Sequence, residues 1–463
     1  MKKICVLGAS VATSRTAAEG PIAGWGQYLP EFIAPGWEVR NFARDGMTAR
    51  SYYTERFATL LNLLEPGDLV LLDFGGVEQR IETPARYHGR RELGEFLKLF
   101  VAGIRAEDAV PVLLTPAARC VFDADGTVRD TRDGYHETVR EAAADSGAVL
   151  VDMSAHTTRL LQELGPARAK RYFRWFDAGQ YEEHPDGVAD ATQLNEEGAR
   201  EVARILASAL DRAAGVPPGT IDPATLTPGA YPPPAPEFTV VGPEGALHAV
   251  ERVGTAPIFT APAPERVAGG FEKFTGHAGP DVTYLLFFEN GDYLGGTAVN
   301  ERGRFLWRRV LCWPAGTHEI QAVGVTSAGG VTPGATLRFE VHDRVPPPVV
   351  TTPSSGSWVN PRPRFGGTAA PGVSKVVALE GERLIAEAAV ADDRSWSLRH
   401  PHTWRPGGHR VEFVAILGAL HSEPTPVDIR VLGVPEESFL RTSADARERC
   451  GEKCDHYPFD GRW

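Results

Sequence analysis

Short apolar runs alternate with helical patterns through the first 214 residues of the chain. The runs suit strands that are buried on both faces of a parallel sheet. They are Ile4–Leu7, Trp37–Phe42, Leu69–Phe74, Val110–Thr115 and Val149–Asp152. Between them, apolar residues recur at helical spacing, as from Leu93 to Ile104. This alternation predicts a doubly wound α/β domain over residues 1–214, with ligands at the carboxyl ends of its strands.

The pattern changes after this domain. Its last helix is expected to begin near Asn195, because Glu196 and Glu197 suit the first turn of a helix. Residues 215–237 are rich in proline, which predicts a semi-rigid linker. Beyond the linker, alternating β-type runs with Gly and Pro turns replace the helical periodicity.

Two all-β units follow, over residues 238–343 and 346–433, and their motifs recur at a spacing of about 90 residues. The paired motifs are Gly276–Pro280 with Gly367–Pro371, Gly303–Trp307 with Asp393–Trp396, and Pro314–Ile320 with Pro406–Val411. The units resemble bacterial immunoglobulin-like modules, which implies two β-sandwiches that act as spacers or adhesion modules. Residues 434–463 are expected to form a polar tail.

Composition narrows the function classes. The chain has 463 residues and a net charge of -12, which argues against nucleic-acid binding because that needs a basic face. Its apolar runs are too short for a membrane span or a secretory signal peptide. The expected location is therefore the cytoplasm by default, with export by another route as the alternative. The five cysteines do not suggest a disulfide framework.

An ordered set of motifs in the first domain resembles the SGNH/GDSL hydrolases, and within them the rhamnogalacturonan acetylesterase-like members. The set comprises Gly8–Ser10, Gly24–Gln27, Asn41–Gly46, Phe74–Glu78, Thr115–Pro116 with Arg119, Tyr172–Asp177 and His184–Gln193. The resemblance implies a serine nucleophile at Ser10, an acid at Asp190 and an oxyanion-hole NH at Gly46. A carbohydrate ester is the implied substrate.

Three positions depart from the family pattern. Gln193 stands where the family has the histidine base, Val77 replaces the asparagine of the oxyanion hole, and Ala9 replaces the aspartate beside the serine. A carboxamide cannot take the serine proton, and the loss of one oxyanion donor costs about 100- to 1000-fold in rate. We therefore expect an impaired esterase-like domain that serves as a binding or structural module.

Two alternatives stay open at this stage. One is a working serine esterase or acyltransferase in which His184 replaces the missing base. The other is a surface or appendage component that uses its immunoglobulin-like modules as spacers.

Further expectations concern the ligand. Trp25, Glu78 and Trp175 are candidate substrate-binding residues, although core packing is the alternative for the two tryptophans. The ligand is expected to be a glycan or an acylated small molecule, and a protein partner could bind the sandwiches or the tail. No cofactor and no metal are expected, since Cys450, Cys454 and His456 lack the spacing of a zinc finger.

Overall fold

The computed structural model describes residues 1–83, 85–229, 252–262, 267–268, 270, 272–342, 344–418 and 420–432. The predicted linker motif at 231–236 and the tail with its two cysteines and His456 lie outside these ranges. The chain divides into two compact units, residues 1–345 with 417–420, and residues 346–416 with 421–463. The first unit contains the α/β domain together with the first β-sandwich, and the second unit contains the second sandwich.

The α/β domain consists of eight strands and seven α-helices. Strands β1 to β8 are Lys2–Gly8, Ile22–Ala23, Trp37–Asn41, Leu69–Asp73, Val110–Leu114, Val149–Val151, Phe173–Phe176 and Val188–Asn195. Helices α1 to α7 are Trp25–Tyr28, Ala49–Glu55, Phe57–Leu61, Arg90–Ala106, Tyr135–Ser146, Met153–Ala169 and Glu196–Arg212. Short 3-10 turns cover Ala17–Glu19, Leu29–Phe32, Lys170–Tyr172 and Pro223–Thr225.

The central sheet is parallel and has the strand order β3-β1-β4-β5-β6. Alternate residues of β1 point to opposite faces, so Ile4 and Val6 join one core cluster while Cys5 and Leu7 join the other. This burial on both faces is why the strands read as continuous apolar runs. The predicted doubly wound α/β fold is confirmed, and each of the five predicted runs forms one of its strands.

Two features complete the domain beyond the central sheet. Strands β2, β8 and β7 form a small antiparallel sheet, and β8 leads directly into α7. Asn195 caps α7 by accepting a hydrogen bond from the Gly198 N–H, at the predicted start of this helix. The chain after α7 returns to the domain, because Ile221 is buried and bridges to Ile33. Residues 215–226, assigned to the linker from the sequence, thus include a segment that packs on the first domain.

Each β-rich region has two sheets with the same strand connectivity. In the first region, strands β9 to β16 are Ile258–Ala261, Val267–Ala268, Lys273–His277, Val282–Glu289, Asp292–Ala298, Arg304–Arg308, Gly316–Thr326 and Ala335–Val341. Their strand orders are β10-β16-β15-β12-β13 in one sheet and β14-β11-β9 in the other. In the second region, strands β17 to β25 are Val349–Thr352, Trp358–Val359, Arg364–Thr368, Lys375–Glu380, Arg383–Ala389, Ser395–Arg399, Gly407–Leu417, Leu420–His421 and Thr425–Val431. Their strand orders are β18-β25-β23-β20-β21 in one sheet and β17-β19-β22 in the other.

The sequence repeat corresponds to equivalent buried side chains. Trp307 on β14 and Trp396 on β22 lie in the cores of their own sandwiches. His318 contacts the Glu289 carboxylate at 2.7 Å, and His409 contacts Glu380 at 2.6 Å in the second sandwich. The two predicted all-β sandwiches are confirmed as β-rich modules, and their immunoglobulin-like nature stays a prediction.

Candidate functional site

Ser10 lies at the carboxyl end of the parallel sheet, where α/β folds bind ligands. The buried strand β1 ends at Gly8, and a tight turn follows in which the Thr13 N–H donates to the Ser10 carbonyl. Gly8 fits against the neighbouring strand, because a Cβ at this position would lie 2.9 Å from the Asp73 carbonyl oxygen. The close approach of β1 and β4 therefore fixes where the serine leaves the sheet.

Strand β8 brings Asp190 and Gln193 to the serine. The Gln193 Nε2 donates a hydrogen bond to the Ser10 Oγ at 2.9 Å. The Asp190 carboxylate accepts from the backbone N–H groups of Thr192 at 2.8 Å and Gln193 at 3.1 Å, so it holds the turn that presents the amide. The structure thus brings the Gln193 side chain into contact with Ser10, whereas the Asp190 carboxylate bonds to the backbone of residues 192 and 193 and makes no hydrogen bond to the Gln193 side chain among the described residues.

The hydrogen bond to Ser10 has the wrong chemistry for a triad. An amide nitrogen only donates, and an amide oxygen in its place would accept a hydrogen bond but would remain far too weak a base to remove the proton. The Gln193 Oε1 is buried and has no hydrogen-bond partner among the described residues. This acceptor is therefore an unsatisfied buried polar atom beside Ser10, and Gln193 is not among the residues that line the neighbouring groove.

His184 is turned toward another group. Its Nε2 lies 3.0 Å from the Arg174 Nη2, and its ring packs 5.6 Å from the ring of Phe176. A guanidinium can only donate, so the His184 Nε2 must be the acceptor and its lone pair is engaged. In this conformation the lone pair that would serve as a displaced base is not directed at Ser10.

The oxyanion side of the site is also altered. Gly46 has a left-handed backbone (φ 71°), and a Cβ placed on it would lie 2.8 Å from the Arg86 Nη2. At position 77 the valine side chain carries no donor, and its backbone N–H already donates to the Glu78 carboxylate at 3.1 Å. Neither group of Val77 is therefore free to stabilise an oxyanion.

Glu78, expected to touch the substrate, is buried in the protein with 1% of its surface exposed. Its carboxylate accepts backbone N–H groups from Ala49 at 2.8 Å, Gly75 at 2.8 Å and Val77 at 3.1 Å. Burial is the largest influence on this carboxyl and raises its pKa, although the three N–H donors oppose the shift. The Glu78 carboxylate therefore joins the start of α2 to the loop after β4, and its substrate-binding role stays a prediction.

The two candidate tryptophans are engaged by the protein. Trp25 is 2% exposed, and its Nε1 donates to the Asp73 carboxylate at 3.1 Å. Burial raises the pKa of Asp73 to about 6, against the hydrogen bond from Trp25, which lowers it. The ring of Trp175 lies under the guanidinium of Arg308 from the first sandwich, 5.3 Å from its centroid. Both rings thus pack within the protein, which was the alternative considered from the sequence.

Two arginines bond to backbone carbonyls near the site: Arg119, which belongs to a matched motif, and the buried Arg132, which the sequence analysis did not single out. Arg119 donates to the backbone carbonyls of Thr131 at 3.3 Å and Gly76 at 3.5 Å, and Arg132 donates to the carbonyl of Ala117. Burial lowers the pKa of Arg119 to about 10, and it also lowers the pKa of Arg132. Arg119 belongs to a matched motif, but nothing in the local pattern indicates that Arg132 is buried.

A groove of about 760 Å³ lies beside the serine turn. Its lining includes Arg15, whose Nη2 donates to the Ser10 carbonyl at 3.2 Å, and the side chains of Tyr28 and Tyr181. The rest of the lining comes from the loop before α1 and from the start of α7, including Glu196 and Glu197. This volume lies in the range of known ligand sites, of about 300–1,000 Å³. Tyr181 was not singled out in the sequence, because a single loop tyrosine carries no pattern.

Across the described ranges, no three His, Cys, Asp or Glu side chains are grouped so that they could hold a metal ion. Over the same ranges, no helix is both long and apolar enough to cross a membrane.

Two curated relatives from Bacillus subtilis (strain 168) are similar to this chain. One, a rhamnogalacturonan acetylesterase, is 31% identical over 215 residues, which are 46% of this chain and 91% of the relative. The other, a probable rhamnogalacturonan acetylesterase, is 26% identical over 189 residues, or 40% of this chain and 82% of the relative. No family model matches the chain.

Solved structures are similar at lower identity. An acetylxylan esterase from Geobacillus stearothermophilus is 17% identical and covers 46% of this chain and 93% of its own, with a TM-score of 0.32. Fibronectin(III)-like modules from Clostridium thermocellum are 16% identical and cover 38% of this chain and 93% of their own, with a TM-score of 0.24. Scores this low carry no argument about function.

Proposed function

Because the chain belongs, through its N-terminal α/β domain, to the rhamnogalacturonan acetylesterase family of SGNH hydrolases, we propose that this domain is an impaired esterase that binds a glycan. The observation that carries the proposal is the hydrogen bond from the Gln193 amide to the Ser10 hydroxyl. A serine hydroxyl attacks an ester only when a neighbouring base removes its proton, and an amide cannot do so at neutral pH.

A second loss supports the same conclusion. A tetrahedral intermediate needs donors that point at its developing negative charge. Val77 offers none from its side chain, and its N–H is held by Glu78. An attack on an ester carbonyl would therefore lack both the base that starts it and one of the donors that stabilise it.

The proposed ligand is an acylated or deacylated glycan, by analogy with the two relatives, which are named as rhamnogalacturonan acetylesterases. The groove has the volume for sugar residues and is lined by Arg15, which bonds to the Ser10 carbonyl, and by Tyr181, an aromatic residue of the kind that suits contact with a sugar face. Glycan binding thus needs no proton transfer at Ser10.

A fluorophosphonate probe tests the impaired chemistry. We expect the purified full chain to resist labelling and to hydrolyse 4-nitrophenyl acetate no faster than its Ser10→Ala variant. Labelling of the parent chain that disappears in Ser10→Ala would instead show an activated serine and would support the displaced-base alternative. A His184→Ala variant then identifies whether that histidine is the base.

A binding experiment tests the glycan half of the proposal. Titration calorimetry with acetylated and deacetylated rhamnogalacturonan oligosaccharides should show binding that Tyr181→Ala weakens. The matched control is Tyr293→Ala, an exposed tyrosine on the first sandwich that does not line the groove. Failure of every oligosaccharide to bind would contradict the glycan assignment and leave the serine chemistry unaffected.

A further inference from the structure

The segment that connects β7 to β8, residues 177–187, is held by side chains of the first sandwich. The Asn300 Nδ2 donates to the Pro185 carbonyl at 2.7 Å and to the Asp186 carboxylate at 3.0 Å. The Arg304 Nη1 forms an ion pair with the other Asp186 oxygen at 3.0 Å. Both Asp186 oxygens therefore bond to the sandwich, at a position four residues before Asp190.

The sandwich presents these two side chains in a preformed turn. Asn300 Oδ1 accepts from the backbone N–H groups of Arg302 at 3.0 Å and Arg304 at 2.9 Å. With its oxygen bound inside the turn, the amide has its nitrogen aimed outward at the β7–β8 segment. A side chain fixed in this way loses little conformational entropy on making the contact.

A second contact lies next to Asp190 itself. Arg308 on β14 donates from its Nη1 to the Ala189 carbonyl at 3.2 Å while its guanidinium covers the Trp175 ring. Trp175 and Ala189 are paired residues of β7 and β8, so one arginine touches both strands. The sandwich thus contacts the strand that carries Asp190 and Gln193 as well as the segment before it.

A third contact lies outside this region. The Cys312 N–H donates to the Phe122 carbonyl at 2.8 Å, and Leu311 forms a β-bridge with Phe122. Cys312 belongs to the same buried cluster as Cys120 and Val121 of the α/β domain. An apolar contact therefore accompanies the polar ones, and the two regions form one compact unit.

We propose that the first sandwich is a positioning element of the site, which acts through Asn300, Arg304 and Arg308 to hold β8 so that Gln193 meets Ser10. A connecting segment of this length is ordinarily among the more mobile parts of a domain. Here side chains of the first sandwich form hydrogen bonds to Asp177, Pro185 and Asp186 of the segment, and to Ala189 at the start of β8. The inference concerns geometry, so it holds whether Ser10 is inert or reactive.

Hydrogen exchange measured by mass spectrometry on the full chain tests this role. The amides of Thr192 and Gln193 donate to Asp190 only while β8 keeps its conformation. We expect Arg304→Ala and Asn300→Ala to speed exchange in the peptide 188–195 by about tenfold, because the segment opens more often. Arg302→Ala is the matched control, since Arg302 is exposed in the same turn and its side chain makes no polar contact with the described residues.

A conservative variant separates positioning from general loss of structure. Arg304→Lys keeps the positive charge beside Asp186 and leaves the Asn300 hydrogen bond intact, so it should exchange slowly, whereas Arg304→Ala should not. Exchange that stays unchanged in both alanine variants overturns the proposal, and so does exchange in Arg304→Lys that is as fast as in Arg304→Ala. Exchange of peptides from α4, measured in the same samples, shows whether the whole domain has opened instead. None of these outcomes depends on the labelling of Ser10.

Discussion

At the scale of single residues, the chemistry of the site depends on which atom faces the Ser10 hydroxyl. An imidazole nitrogen at that point would accept the proton, whereas the Gln193 Nε2 donates its own. The Asp190 carboxylate lies on the same strand and accepts hydrogen bonds from the backbone N–H groups of Thr192 and Gln193. The nucleophile is therefore in place, whereas the base and one oxyanion donor are replaced and Ala9 stands where the family has an aspartate.

This geometry predicts that activity can be restored. In the double variant Gln193→His with Val77→Asn, we expect acetyl ester hydrolysis at least about 100-fold above that of the parent chain, since each group contributes about 100-fold or more. The assay is initial-rate hydrolysis of 4-nitrophenyl acetate, with Ser10→Ala added to the double variant as the control. No gain would mean that Arg86 over Gly46, or another nearby group, also blocks the oxyanion position.

The buried carboxyl of Asp73 predicts a pH dependence of stability. Its folded-state pKa is raised from 3.8 to about 6, so the folded protein binds this proton more tightly than the unfolded chain. The free energy of unfolding should then fall by up to about 3 kcal/mol as the pH rises through this interval, and Asp73→Asn should remove that part of the slope. Urea denaturation across the interval measures it, with the exposed Asp211→Asn as control. Equal slopes in Asp73→Asn and the parent would contradict the assignment.

At the scale of elements, Glu78 connects the start of α2 to the loop after β4. Its loss in Glu78→Ala leaves three N–H groups without their acceptor, so we expect a destabilisation of about 3 kcal/mol. Thermal unfolding measures this effect, and Glu55→Ala at the exposed end of α2 serves as the control. A variant of normal stability that has lost glycan binding would instead favour the substrate-binding role expected from the sequence.

Local sequence patterns predicted the strands and the last helix of the α/β domain but not the contacts between distant segments. Periodicity located the five parallel strands and α7, because burial on both faces and helical spacing leave a local pattern. Only the family resemblance placed Gln193 beside Ser10, because β8 belongs to the small antiparallel sheet and not to the parallel sheet that carries Ser10. The acceptor role of Glu78 and the pairing of His184 with Arg174 depend on contacts between distant segments, which no local pattern encodes. The sandwich contacts with Asp186 were missed for the same reason.

At the scale of the whole molecule, the division into units predicts how the chain tolerates shortening. The first sandwich shares a buried cluster with the α/β domain through Cys312, whereas the second has its own core around Phe365 and Phe413. A chain of residues 1–345 should therefore fold, with slow exchange in the peptide 188–195. A chain of residues 1–229 would expose Cys120, Val121 and Phe122 to water. It would also lose the hydrogen bond and the ion pair that Asn300 and Arg304 form with Asp186.

Calorimetry of the two shortened chains tests this expectation. The transition of the α/β domain should occur at a lower temperature in residues 1–229 than in residues 1–345, and the 188–195 peptide should exchange faster in the shorter chain. Equal transition temperatures and equal exchange would mean that the first sandwich is a tethered spacer, as the immunoglobulin-like resemblance implied. A lower transition temperature in the shorter chain, with fast exchange confined to β8 and its preceding segment, would make the sandwich part of the site.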